Sequence, residues 1–207
     1  MQGPAASRVA WSREQDQRHA LLLQAMAPAP CLYAVVDCAL HGSLYAQLQN
    51  EPAESEIQCL YDGMPAVRYA RVAPYLLHVH RNSPIYRRWL AEGWLQHWGI
   101  FIAASLTTRQ IRRHLKKFLT VRLPGWQTAH LRFYDPRVLC GLLQQADPGQ
   151  VHDLLRVPGE MPFATFLVPQ TGQSLVAYSS QGNALFNRLT RASHLQTRYH
   201  TVAEPCS

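Results

Sequence analysis

Residues 128–146, TAHLRFYDPRVLCGLLQQA, decide how the fold is read. Leu131 and Phe133 alternate with Arg132 and Tyr134, the period of two that a half-buried strand shows. Asp135 and Pro136 follow at once. Asp is a favoured N-cap, and proline suits the first helical position, where its missing N–H costs nothing. Val138, Leu139, Leu142 and Leu143 then recur at helical spacing. A strand is therefore predicted to feed directly into a helix, with Arg132, Tyr134, Asp135 and Arg137 gathered at the junction. In open α/β sheets ligands and partners commonly meet the protein at such a junction. Two uses of the cluster stay open: Asp135 caps the helix and pairs with an arginine, or the four side chains grip another molecule.

Working outward, residues 121–123 and 128–133 form a predicted hairpin around Pro124-Gly125. Before it, Thr107 with Gln110 has the form of a capping box. The helix it opens places Ile111, Leu115, Phe118 and Leu119 on one face and Arg109, Arg112, Arg113, Lys116 and Lys117 on the rest. Residues 99–104 and 31–39 are continuous apolar runs of strand type, and Asp37 interrupts the second; a buried acid there needs partners. A short strand is expected at 57–61 with a turn at Asp62-Gly63. Residues 67–79 are strand-like but contain Pro74, which requires an edge strand, a bulge or two segments. Helices are expected from Ser12, with Gln15 completing a capping box, to about Ala27; from Ser43 to Leu48; and from Ser83-Pro84 through Ile85, Trp89 and Leu90 to Gly93. Downstream, Asp147-Pro148 starts a short helix, residues 161–168 and 174–178 form a hairpin around Thr171-Gly172, and a helix over 183–191 precedes a polar tail.

The expected fold is α/β, a mixed sheet with flanking helices and a smaller α+β C-terminal region. Residues 1–30 are an N-terminal arm and helix, and 31–157 the main domain. Residues 158–207 are a C-terminal hairpin and helix, a candidate second lobe beyond the break at Val157-Pro158-Gly159.

Hydrophobic residues make up 47% of the 207, enough for a substantial core. The formal net charge is +7, and much of the excess lies between Arg109 and Arg137, so it is a local patch. Such a patch favours acidic partners, nucleic acid or an anionic surface. The five cysteines lack CxxC spacing and mostly sit among apolar residues, which fits reduced, buried thiols in a cytoplasmic protein. No secretory pattern or membrane-length apolar run is seen.

Common catalytic patterns are missing: no GxSxG elbow, no phosphate-cradling glycine loop and only 13 acids. Cys38 stands beside Asp37, and a neighbouring carboxylate raises a thiol's pKa rather than activating it. His78 and His80, two apart on a strand, share a face, and His97 and His114 are further histidines. Without a supporting cysteine or acid they make a poor ligand set, so no metal is expected. The basic helix also admits a nucleic-acid-binding reading through phosphate neutralisation, without a recognised binding motif around it.

Several blocks in order then carry a resemblance: LYAVVD at 32–37, LYDG at 60–63, APYLL at 73–77, WGIF at 98–101, HLKKFL at 114–119, VRLP at 121–124 and LRFYDPRVL at 131–139. Together they resemble the core signature of the type VI secretion system effector adaptor/chaperone family, bacterial proteins also catalogued as domain of unknown function 4123. The resemblance spans about 31–143. It departs at Cys38, where the family usually has glycine, and at Gly125-Trp126, where Asp-Gly is usual; residues after about 150 carry no signature.

The resemblance implies a cytoplasmic, non-enzymatic protein without cofactor, metal or small-molecule substrate. It would hold an effector toxin and deliver it to a VgrG spike protein, away from membranes. On that reading Arg132, Tyr134, Asp135 and Arg137 are the expected partner-binding site, and Arg112, Arg113, Lys116 and Lys117 a docking face. Trp89, Trp94, Trp98 and Tyr134 are candidate aromatic anchors, with a place in the core as the alternative, and the region after Val157 is a candidate for tuning effector choice. The alternatives are a basic nucleic-acid-binding protein and a hydrolase or metal-dependent enzyme.

Overall fold

The computed structural model describes residues 10–156, 164–171, 173–180 and 195–201. Among the described residues seven strands form one sheet: β1 (Cys31–Asp37), β2 (Gln58–Cys59), β3 (Pro74–His78), β4 (Gly99–Ala104), β7 (Thr165–Pro169), β8 (Ser174–Ser180) and β9 (Leu195–Thr201). Two more, β5 (Thr120–Arg122) and β6 (Thr128–His130), pair only with each other as a separate ribbon. The order is β2-β3-β1-β4-β7-β8-β9: the α/β class with flanking helices is as expected, but every pairing is antiparallel where a mixed sheet was expected.

Helices cover both faces, which is why the central strands are apolar at nearly every position. On one face Tyr33, Val35, Leu76, Ile100, Ile102, Phe166 and Val176 pack beneath α5 (Thr108–Leu115), α6 (Pro136–Gln145) and α7 (Pro148–Leu155). On the other, Leu32, Ala34, Val36, Leu77, Phe101 and Leu167 meet α1 (Arg13–Met26), α2 (Leu44–Leu48) and α4 (Pro84–Arg88). The expected capping boxes at Ser12–Gln15 and Thr107–Gln110 both form, and the Ser83 hydroxyl accepts from the Tyr86 N–H at 3.1 Å.

Several expectations need correction. The strand predicted over 128–133 ends at His130, and the chain turns through residues 131–135 before α6. The junction belongs to the ribbon, so the rule for open parallel sheets does not place a site there. The segment 67–79 is broken at Pro74, as one of its readings allowed, but only the second piece is a strand: α3 (Gly63–Arg68) follows Asp62, a 3-10 turn covers Ala70–Val72, and β3 starts at Pro74. That strand is interior, between β2 and β1. Proline is tolerated as its first residue, opposite Asp37.

The helical stretch that starts at Ser83-Pro84 ends at Gly93, as expected, but its second half is not α-helical. A π-helical segment, Trp89–Gly93, continues α4, and the Trp94 N–H donates to the Trp89 carbonyl at 2.8 Å. A Cβ on Gly93 would lie 2.4 Å from two ring atoms of Trp98, so glycine is what lets that indole fold back. The residues expected as a polar tail include β9. The two strands of the hairpin expected in a C-terminal lobe, β7 and β8, belong with β9 to the main sheet, joined through β4 and β7 at Phe101↔Leu167 and Ile102↔Phe166. The predicted helix over 183–191 and the break at Val157-Pro158-Gly159 lie outside the described residues. Among the described residues no helix is long and apolar enough to cross a membrane.

Candidate partner-binding site

The junction is built around two buried acids from distant parts of the chain. Asp37, at the end of β1, is 1% exposed and accepts the Ala39 N–H at 3.0 Å and a guanidinium N–H of Arg132. Asp135, 3% exposed, is the N-cap of α6: one oxygen accepts the Arg137 N–H at 3.0 Å. The Arg137 guanidinium donates twice to the same carboxylate, at 2.9 and 2.7 Å, and Arg132 stands 3.9 Å from it. Burial works to raise the Asp135 pKa, but the hydrogen bonds from Arg137 outweigh it and hold the carboxyl below its ordinary value. For Arg132, burial works to lower the pKa, and the hydrogen bond and charge of Asp37 outweigh it and raise it.

Each buried charge thus has a partner of opposite sign, as burial demands. Arg132 fastens the ribbon-to-α6 turn to the central strand β1. Arg132 and Arg137 keep 40% and 61% of their side chains exposed. Tyr134 does not: it is 2% exposed, and its hydroxyl lies 3.1 Å from His130 Nε2, which is also 3.1 Å from the Tyr61 hydroxyl. Burial, then Arg132, lowers the His130 pKa. The candidate aromatic anchors Trp89, Trp94 and Trp98 are core residues on the far face of the sheet, each at most 1% exposed, with Trp89 and Trp94 against Phe101.

The basic helix divides into two sets. Arg112 donates to the carbonyls of Cys59 at 2.6 Å and Tyr61 at 3.1 Å, and both it and Lys116 pair with Asp62. These two cations tie α5 to the entrance of α3. Arg113 and Lys117, with Arg109, form an exposed row at four-residue spacing.

Beside the junction lies a groove of about 550 Å³ between the segment carrying α3 and the ribbon. Leu60, Tyr61, Tyr69, Val72, Leu119 and His130 line it, with Lys116 and Asp62 at its rim. Its shoulder is unusually apolar for a surface. No residue of α3 is buried: Met64 and Val67 are each 75% exposed, and Tyr69 and Val72 about half. At the ribbon tip Trp126 is 89% exposed with a φ of 63°, in a region sparsely populated by bulky residues. The sequence reading missed α3 and Trp126 as surface. The available signal for Trp126 was an aromatic placed directly in a Pro-Gly hairpin turn, beyond reach of a core.

His78 and His80 do sit together, ring centroids 4.4 Å apart, but His80 Nε2 lies 2.6 Å from the Glu54 carbonyl oxygen and His114 Nε2 lies 2.7 Å from that of Leu154. Among the described residues no three His, Cys, Asp or Glu side chains converge as a metal site. Cys38 is buried, and burial followed by the Asp37 charge pushes its thiol up to about 12.

No curated protein and no solved structure matches the chain. Residues 32–153 match the family described as "Domain of unknown function (DUF4123)". That span runs from β1 through the groove, the ribbon and the Asp37–Arg132 brace to α7, more than half of the chain, and the chain belongs to that family.

Proposed function

We propose that the chain is a type VI secretion adaptor that holds an effector toxin in the cytoplasm and loads it onto a VgrG spike protein. Family membership supports it, together with the likeness of LRFYDPRVL and the upstream blocks to such adaptors. The observation that carries the binding role is the solvent-facing apolar side of α3 and the adjoining turn, bordering a groove. Contiguous exposed apolar surface with a polar rim is the usual mark of a partner site. The paired corner has a different part: it positions the ribbon wall by tying the turn after it to β1. Arg132 and Arg137 present their exposed edges next to that wall, while Asp37, Tyr134 and Asp135 support from within.

The test is co-expression with a candidate effector toxin. Wild type co-purifies with it, and Val67→Asp loses it while keeping its thermal midpoint. Leu23→Asp is the control: Leu23 is 48% exposed on α1, across the sheet, and its replacement leaves capture intact. Capture unaffected by Val67→Asp and Met64→Asp together would overturn the assignment.

A further inference from the structure

We propose that the groove takes an acidic amphipathic segment of its partner, with apolar side chains along one face and carboxylates along the flanks. This deepens the adaptor reading and rests on it.

The apolar half of the specification comes from the groove floor, where buried Leu60 and Leu119 meet half-exposed Tyr69 and Val72. A space of about 550 Å³ admits a few side chains of a docked helix or strand, not a folded domain.

The acidic half comes from charge placement. The two segments that build the groove and its surroundings, 57–72 and 109–137, contain ten Lys and Arg residues against two acids, Asp62 and Asp135. The rest of the chain has ten cations against eleven acids, so the whole excess is concentrated here. Neither acid offsets it freely. Asp62 is shared by Arg112 and Lys116, and Asp135 is held by Arg137. Arg68 lies 5.6 Å from the centroid of the Tyr69 ring, a groove-lining residue, and exposed Arg71 falls between Tyr69 and Val72 in the chain. Arg113 and Lys117 continue the cationic surface along α5. A segment carrying carboxylates is attracted to this rim, and a basic one is repelled. Nucleic acid would meet the same charges. But Met64, Val67 and Val72 would face a phosphate backbone with nothing to bury, whereas an amphipathic peptide covers them.

The experiment is fluorescence anisotropy on the full chain with four labelled probes. They are a helical peptide with Leu on one face and Glu elsewhere, its Lys-for-Glu counterpart, a Leu/Glu peptide with the leucines scattered, and a single-stranded oligonucleotide. The first is expected to bind at least about tenfold more tightly than the others, and less tightly as salt is raised. Met64→Asp/Val67→Asp abolishes binding, and Arg68→Glu/Arg71→Glu weakens it about tenfold and shifts preference toward the Lys peptide. Equal binding of the Lys peptide or the oligonucleotide, or no binding of the Leu/Glu helix, overturns the proposal. The same variants separate it from the adaptor reading. Effector capture lost on Val67→Asp but untouched by Arg68→Glu/Arg71→Glu rejects the acidic occupant and leaves the adaptor standing. Capture indifferent to both rejects the groove altogether.

Discussion

Replacing Arg132 with methionine keeps most of the side-chain volume and removes the charge opposite Asp37. Asp37 is 1% exposed in the native chain, and its carboxylate would keep one hydrogen bond, from the Ala39 N–H at 3.0 Å. Breaking a buried pair by deleting one partner costs about 3–5 kcal/mol. Arg132 itself is 40% exposed, so water admitted where its head group stood recovers part of that. The expected loss is about 2–3 kcal/mol, or a fall of roughly 4–12 °C in Tm for a chain of this size. Urea unfolding followed by tryptophan fluorescence reads it directly, because Trp89, Trp94 and Trp98 are all buried. A double-mutant cycle with Asp37→Asn isolates the pair. With the charge neutralised first, Arg132→Met costs much less, and the coupling is at least about 1 kcal/mol. A single variant within about 0.5 kcal/mol of wild type, or no coupling, would refute the brace and return Arg132 to the class of ordinary surface residues.

Asp135→Ala should cost about 1–2 kcal/mol through loss of the α6 cap, and Asp135→Asn less, since Asn also caps; chemical denaturation at neutral pH checks both. Because the folded pKa of Asp135 is lowered, the stability its charge adds is present above the unfolded carboxyl value, near 3.8, and is lost as pH falls through the lower folded value. The gap between wild type and Asp135→Asn should therefore close below about pH 4 in a pH series of melts. Gly99→Ala should cost about 3 kcal/mol or more and cut soluble yield, because the new Cβ would sit 1.8 Å from the Val35 carbonyl oxygen in the neighbouring strand. Cys38, with its thiol pushed up to about 12, should resist alkylation at pH 8 in the native protein and react on unfolding, as site-resolved mass spectrometry would show; fast native labelling would contradict its burial.

What the chain encodes locally was legible. Ser12 with Gln15, Thr107 with Gln110 and Ser83 with Pro84 each announce a helix start through groups three residues apart or fewer, and the apolar runs of β1 and β4 announce buried strands. What depends on partners far along the chain was not. Arg132 and Asp37 are 95 residues apart, and no spacing rule joins them. In 67–79 the break at Pro74 was legible, but the residues before it form the end of α3 and a 3-10 turn rather than a strand, and Val67 and Val72 face solvent. For Trp89, Trp94 and Trp98, weighed between interface and core, the folded-back π segment decides for the core. β9 looked like a tail because its residues are largely polar, and its pairing to β8 shows only in the fold.

The central claim is that the groove between α3 and the ribbon receives the effector. Hydrogen–deuterium exchange on the chain alone and in complex with the co-expressed toxin addresses it most directly. New protection is expected over residues 60–72 and 116–130, with α1 and α4 unchanged. Protection confined to α1 and α4, with the groove segments exchanging as before, would contradict that claim.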